Sequence, residues 1–327
     1  MKIKWTRNLI VTALLSFGML QPASAQTEPY PSQPIKMVVP FAAGGYADVV
    51  ARMVSDKLSK ALGETVFVFN KPGAGSTIGT DMIAKAKPDG YTIGMISTTH
   101  VISPWVYKSI PYDALKDFEA ITQVVDGPYV LVVNKDFPAK SVKELIAMAK
   151  AKPTVINYAS SGNGSTQHLF AALFAQLAGI ELTHVPYKGS GQALTDLLGG
   201  LIPMSFAGMP QTIQHIKEGR LRALAITGNE RIKELPDVPT MEEAGVIGHK
   251  VTTWLGLVAP AGTPKNVIDK LRTATTEVLA APDAIESIEK AGLKVHVSKT
   301  ADDFHKMLLS EYDDWGAVAK KAGAKVN

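Results

Sequence analysis

Short apolar runs alternate with helically spaced apolar positions along nearly the whole chain, the pattern of repeated strand–helix units. Ile35 to Phe41 reads as a buried strand. Val50, Met53, Val54, Leu58 and Leu62 then recur at helical spacing over 48–62, closed by Gly63. Val66 to Phe69 and Tyr91 to Ile96 read as the next strands, separated by a glycine-rich loop and a short helix. Val130 to Val133 is another strand, followed by a helix that Ser141 and Glu144 open as a capping box. Ile156 to Ala159 is a strand, 160–165 a polar loop, and 167–178 a helix carrying Leu169, Phe170, Leu173, Phe174 and Leu177. Later helices are expected to open at Thr240 with Glu243, at Thr263 with Pro264 in the first helical position, and at Thr300 with Asp303. The pattern predicts an α/β protein with mainly parallel sheets. No linker or repeat marks a domain boundary.

The first residues follow a different pattern. Lys2, Lys4 and Arg7 precede an apolar stretch from Leu9 to Leu20, and Ala23-Ser24-Ala25 has the small residues of a cleavage site. Residues 1–25 are therefore expected to be a signal peptide cleaved after Ala25. The stretch is shorter than the roughly 20 apolar residues of a membrane span. A single arginine gives no twin-arginine motif, so Sec-type export is expected. Losing this segment removes three cations and no acids, so the formal charge falls from +4 to +1. No clustered basic surface remains to suggest a nucleic-acid partner. The chain has no cysteine, which leaves no lipid-anchor site, disulfide or thiolate nucleophile. A periplasmic location without an anchor is the expectation. The seven histidines are scattered and no H-E-x-x-H occurs, so neither metal nor cofactor is expected. In 71–79 the third glycine of the G-x-G-x-x-G spacing is one position late and the first strand lies elsewhere, which reads as a structural turn.

Two loops carry candidate chemistry. The segment Phe41, Gly44, Gly45, Tyr46, Ala47 and Asp48 joins a strand end to a helix start, where free backbone N–H groups and the helix dipole favour an anion. The same pattern fits a plain turn with Asp48 as a cap. The second loop, Ser160, Ser161, Gly162, Asn163, Gly164, Ser165 and Thr166, concentrates hydroxyls, an amide and glycines between a strand and a helix. It suits a carboxylate, or an ordinary cap by Ser165 or Thr166. His168 near Ser161 and Ser165 raises an alternative, a periplasmic serine hydrolase, although the G-x-S-x-G elbow is absent. The loop 183–191 is a secondary cleft candidate with Lys188 as an anion partner, and Phe41 and Phe206 are candidate apolar walls.

These motifs occur together in one order. Val39-Pro40-Phe41 with Gly44-Gly45, Asp48 and Ala51-Arg52 comes first, then Asn70 with Pro72-Gly73-Ala74-Gly75, and Pro88-Asp89-Gly90-Tyr91-Thr92. Pro111-Tyr112-Asp113, 158–168, Val185-Pro186-Tyr187-Lys188-Gly189, 236–240 with Glu243-Ala244-Gly245, and 254–264 follow. In this order the chain resembles the substrate-binding component of tripartite tricarboxylate transporters, the Bug family. The resemblance implies a two-lobe periplasmic-binding-protein clamshell, with residues 26–130 and 251–327 as lobe 1 and residues 131–250 as lobe 2. It also implies a non-enzymatic protein that captures a small carboxylate between the lobes and delivers it to membrane permease subunits, or else presents it to a sensor receptor. The loops 41–48 and 160–166 would face each other across the cleft, with Ser97, Thr98, Thr99 and Phe206 completing the walls. Ala47 stands where members commonly have a threonine or serine, so one hydroxyl contact of the family is lost here.

Overall fold

The computed structural model describes residues 29–324; the expected signal peptide lies outside the described residues. In chain order the strands and helices begin with β1 (Ile35–Val39), α1 (Tyr46–Leu62), β2 (Val66–Asn70), α2 (Thr77–Ala84), β3 (Thr92–Ser97), α3 (Thr99–Val106) and β4 (Phe118–Gly127). They continue as β5 (Tyr129–Asn134), α4 (Val142–Ala151), β6 (Asn157–Ser160), α5 (Thr166–Ala178), β7 (Thr183–Pro186), α6 (Ser190–Leu198), β8 (Met204–Gly208), α7 (Met209–Lys217) and β9 (Leu221–Ile226). The last are β10 (Thr253–Pro260), α8 (Lys265–Ala280), α9 (Pro282–Lys290), β11 (Lys294–Val295) and α10 (Ala301–Lys321).

Two sheets organise these elements, a six-stranded one in the order β11-β4-β10-β3-β1-β2 and a five-stranded one in the order β7-β6-β8-β5-β9. Both are mixed rather than mainly parallel. β1 pairs parallel with β2 and β3, and β6 with β7 and β8, each through a helical crossover. β10 and β4 run antiparallel in the first sheet, and β5 is antiparallel to β8 and β9 in the second. These strands border the passages between sheets. The chain leaves the first sheet through β4, enters the second at β5 after Pro128, and returns through 227–252 to β10. A strand arriving from the other sheet needs no crossover helix, so it is free to pair antiparallel. Spacing along the sequence reports strand–helix units but not the direction of such an entering strand.

Both layers are built on buried apolar residues. Ile35, Met37, Val38 and Val39 of β1 are fully buried, and Val50, Val54 and Leu58 of α1 pack on the sheet at helical spacing. At the junction of the two sheets, Trp315 of α10 stacks on Phe170 of α5, with centroids 5.7 Å apart and planes 11° apart. Phe206, fully buried, packs against Phe170, Phe174 and His249. Two expected helix starts differ in detail. The Thr240–Glu243 capping box forms, with Glu243 N donating to Thr240 Oγ1 at 3.1 Å, but only a turn follows, because Gly245 at φ 93° ends it. Pro264 is the N-cap of α8 with ψ 139°, so the helix begins at Lys265, one residue later than expected.

Candidate functional site

A cavity of about 20 Å³ lies where the two sheets face each other. It is lined by Phe41, Tyr46, Ala47, Ser97 and Thr99 from the six-stranded side, and by Tyr129, Ser161, Thr166, Gln167, Ser190 and Gln211 from the five-stranded side. Such a space holds about one water molecule. Admission of a small organic acid therefore requires the two sides to part. A larger recess of about 720 Å³ lies near the strand passages, between 227–234 and 289–294. Lys294 pairs with Glu230 within its lining, and Arg231 pairs with Glu243 outside it.

The lining follows from the topology. β1, β3, β6, β7 and β8 each deliver the chain from a strand end into a helix, and the cavity is lined by first-turn residues of α1, α3, α5, α6 and α7. This is the position at which open α/β sheets bind ligands. α1, α3, α6 and α7 begin without a side-chain cap, at Gly45, Thr98, Gly189 and Gly208. Thr99 N donates to Ser97 Oγ at 3.2 Å and Pro210 of α7 has no N–H, but the other first-turn N–H groups lack a side-chain cap, and each helix start carries a partial positive charge of about half a unit. None of the lining side chains is aspartate, glutamate, lysine, arginine or histidine. Burial raises the pKa of Tyr46 and Tyr129, so both phenols stay protonated and have a proton to donate. The Tyr46 hydroxyl and Gln167 Oε1 are buried without a partner among the described residues.

The opening loop is braced from behind. Gly44 N–H donates to Asp48 Oδ2 at 2.8 Å, and Arg52 Nε donates to the same oxygen at 3.0 Å. Asn70 Nδ2 donates to Asp48 Oδ1 at 2.9 Å and to the Phe41 carbonyl at 3.1 Å. Burial pushes the Asp48 carboxyl up, but the bonds from Arg52, Gly44 and Asn70 outweigh it and hold the pKa below its ordinary value. Asp48 is therefore a brace rather than a cavity wall. Gly44, at φ 73°, makes the turn that lets its N–H reach that carboxylate. We expect Asp48→Ala to lower stability by about 2 kcal/mol, because two backbone-positioning donors lose their acceptor. Urea unfolding at pH 7 measures this loss. Because the native pKa is depressed, the wild-type advantage should shrink as pH falls through the carboxylate range.

The second loop is held by its own network. Ser160 is fully buried, with Oγ 2.6 Å from His184 Nε2, donating to the Gly162 carbonyl at 3.0 Å and accepting from Gly162 N at 3.1 Å. Asn163 turns its carbonyl to the Tyr107 hydroxyl at 2.8 Å, a bond between the two sides of the cleft. Ser165 is the N-cap of α5, accepting from His168 N at 3.3 Å. Gly164 N donates to His168 Nδ1 at 3.2 Å, and the His168 ring stacks on His184 at 4.1 Å. Burial pushes these imidazoles down to about 4 and about 3, so both are neutral. With Ser165 occupied as a cap and His168 bonded to Gly164, the hydrolase arrangement is not assembled. Across the cleft, Thr99 Oγ1 and Thr166 Oγ1 lie 3.0 Å apart, and Thr166 N donates to Thr99 Oγ1 at 3.3 Å.

The structure brings seven of the expected residues to the cavity: Phe41, Tyr46, Ala47, Ser97, Thr99, Ser161 and Thr166. Gly45 lies at its rim, since a β-carbon there would be 2.6 Å from Ser190 Oγ. Thr98 is buried behind it, accepting from Trp254 N at 3.2 Å. Gly44, Asp48, Ser160, Gly162, Asn163, Gly164 and Ser165 shape the loops without lining the cavity. Phe206 is a core residue and not a wall, because the inward face of β8 packs on α5. Sequence reasoning missed Tyr129, Gln167 and Gln211, and it offered the loop 183–191 for Lys188, whereas Ser190 is its residue in the lining. Of the three, only Gln167 carried a local signal, adjoining the loop 160–166.

Comparison with known proteins agrees with this architecture. A family model described as "Tripartite tricarboxylate transporter family receptor" matches residues 50–324. The protein BugT of Bordetella pertussis is 38% identical over 325 residues, covering 98% of this chain and 99% of its own. Among solved structures, the periplasmic binding protein BugD superposes with a TM-score of 0.88 at 38% identity, covering 90% of this chain and 99% of that one. Rpa4515 of R. palustris, described with adipate, has a TM-score of 0.88 at 32% identity, covering 91% of this chain and 100% of that one. The chain belongs to the tripartite tricarboxylate transporter receptor family, whose members are solute-binding receptors and not enzymes. No helix among the described residues is long and apolar enough to cross a membrane.

Proposed function

We propose that this protein captures a small carboxylate between its two sheets in the periplasm and delivers it, chemically unchanged, to permease subunits of a tripartite tricarboxylate-type transporter. The observation that carries this reading is the convergence of five helix amino ends on one cavity whose lining has no charged side chain. Such a lining solvates an anion by backbone and hydroxyl donors without the cost of desolvating a lysine or arginine. The bond energies suffice. Charge-assisted hydrogen bonds contribute about 1.5 to 3 kcal/mol each, so three or four can reach the roughly 8 kcal/mol of a micromolar site after ordering costs. The adipate in Rpa4515 supports a carboxylate for this chain as well.

In this reading lobe 1 comprises residues 26–130 and 251–327, and lobe 2 residues 131–250, parting about the passages near Pro128 and 227–252. Residues 1–25 are the export signal, removed after Ala25, and the absence of cysteine leaves the mature protein without a lipid anchor. Thermal unfolding against a panel of mono-, di- and tricarboxylates tests the reading. Ligand at 100 times its Kd adds about 2.7 kcal/mol, a rise of about 4 °C for a chain of this size. Mass spectrometry of the recovered ligand should return the added acid intact. A panel that leaves the melting curve unmoved, or an acid returned as a different compound, would overturn it.

A further inference from the structure

A second contact joins the two sides outside the cavity. Tyr107 follows α3 on the six-stranded side, and its hydroxyl donates to the Asn163 carbonyl of the five-stranded side at 2.8 Å. Burial pushes this phenol up to about 12, so the proton stays on the donor. The side chain lies between two glycines, one from each side. A β-carbon on Gly164 would be 2.9 Å from Tyr107 Cε2. One on Gly75 would be 2.6 Å from the Tyr107 hydroxyl and 2.3 Å from the Asn163 carbonyl oxygen. No side chain fits at either position while the two sides meet in this way.

The backbone that seats this contact has an uncommon shape. Ala74, Gly75 and Ser76 have φ 45°, 58° and 82°, three successive left-handed residues of which two carry a β-carbon. Such a run persists only where its surroundings impose it. Here Thr77 Oγ1 donates to the Ala74 carbonyl at 2.8 Å, and Thr80 Oγ1 to the Ser76 carbonyl at 3.0 Å. The turn is therefore fixed by its own side of the molecule and stands ready to receive the Asn163 carbonyl.

We propose that Tyr107 is a positioning residue for capture, a latch that holds the loop 160–166 against the six-stranded side from outside the cavity and slows release of the bound acid. Tyr107, Gly75 and Asn163 are not in the lining, whereas Ser161 and Thr166, on either side of Asn163 in the chain, are. The latch thus acts on the ligand only through the loop that carries those two residues. A bond made only once the sides have met prolongs the closed state and leaves the first encounter unchanged, so its effect falls on the dissociation rate. The inference rests on the carboxylate reading above for its ligand, but not for the contact itself.

Calorimetric titration, and release of radiolabelled acid into an excess of unlabelled acid, test this with adipate and with succinate as probes. Tyr107→Phe, which removes only the hydroxyl, should weaken binding about 3- to 10-fold, the worth of one neutral hydrogen bond. Almost all of that loss should appear as faster release, with the melting temperature without acid within about 2 °C of wild type. Gly75→Ala, whose β-carbon would occupy the place of the Asn163 carbonyl, should weaken binding about 10-fold or more. A release rate unmoved in Tyr107→Phe would overturn the latch while leaving the carboxylate reading standing. So would a melting temperature lowered by more than about 5 °C in that variant, which would make the bond a requirement of folding rather than of capture. If neither acid bound wild type, the carboxylate reading would lose its support, and hydrogen exchange over 160–168 without added acid would judge the latch by itself. Faster exchange in Tyr107→Phe than in wild type would uphold it, and equal exchange would overturn it.

Discussion

Replacing Gly189 by alanine is expected to weaken carboxylate binding by about 100-fold or more while leaving the melting temperature without ligand within about 2 °C of wild type. Gly189 precedes α6 with φ 175° and ψ 162°, extended backbone that any residue adopts. The substitution therefore introduces no local strain. A β-carbon built there lies 2.4 Å from Ala42 Cβ, where two carbons need about 3.5 Å or more. Ala42 belongs to the loop after β1 and Gly189 to the loop after β7, so the clash falls across the cleft and nowhere else. It excludes the closed arrangement and spares the open one. A ligand held from one side only would lose about two charge-assisted bonds, about 3 to 6 kcal/mol. Gly45→Ala is a graded comparison. Its β-carbon meets the end of the Ser190 side chain at 2.6 Å, and that hydroxyl can rotate away at the cost of its bond to Gln211. Calorimetric titration of both variants with one bound acid would show Gly189→Ala as the weaker binder. Full affinity in Gly189→Ala would mean that the two sides need not meet as they do here.

What was legible in advance was local. Val50, Val54 and Leu58 declare α1, and Thr300 with Asp303 forms the expected capping box of α10, Asp303 N donating to Thr300 Oγ1 at 3.0 Å. Strand direction was not legible for β4, β5 and β10, because each is buried nearly throughout and its partner is set by the passage between sheets. The Thr240–Glu243 box reports a helix start truthfully, yet the helix is cut short by Gly245 five residues on. At the site, strand-to-helix loops were identifiable because glycines, hydroxyls and a following helical period lie within a few residues. Gln211 was not, since a glutamine in the first turn of a helix looks like any solvated residue until tertiary packing turns it inward. Phe206 failed for the reverse reason: an aromatic at a strand end carries the same signal whether it faces a cleft or a core. In the loop 183–191 the exposed Lys188 drew attention by its charge, while Ser190 reaches the cavity. The cavity recruits dipoles and neutral donors, which leave a fainter mark on composition than ionic side chains do.

Acidification should unfold this protein through a buried histidine that does not itself line the cavity. His100 of α3 is 1% exposed and burial pushes its imidazole from 6.5 down to about 4. Its Nε2 lies 2.7 Å from the Ala114 carbonyl, so that nitrogen carries the proton, and Nδ1 is buried without a partner. Tyr112 stacks on the ring at 6.1 Å and Phe118 meets it edge-on at 4.8 Å, an aromatic enclosure that offers no counter-charge to an imidazolium. The native pKa lies below the unfolded one. As the pH falls through 6.5, the unfolded chain takes up the proton first, and stability declines until the native state also protonates near pH 4. One such group costs up to about 1.4 kcal/mol per pH unit, about 3 kcal/mol over the window. His168 and His184 are shifted in the same direction and add to the decline. Urea unfolding of wild type and His100→Leu at intervals from pH 7 to pH 4 separates their contributions. The variant is expected to be less stable at pH 7, because it loses the bond to Ala114, yet to show a slope shallower by about one proton. If the two stability curves ran parallel across the window, His100 would be binding its proton equally in both states, and the destabilisation would have to come from other groups.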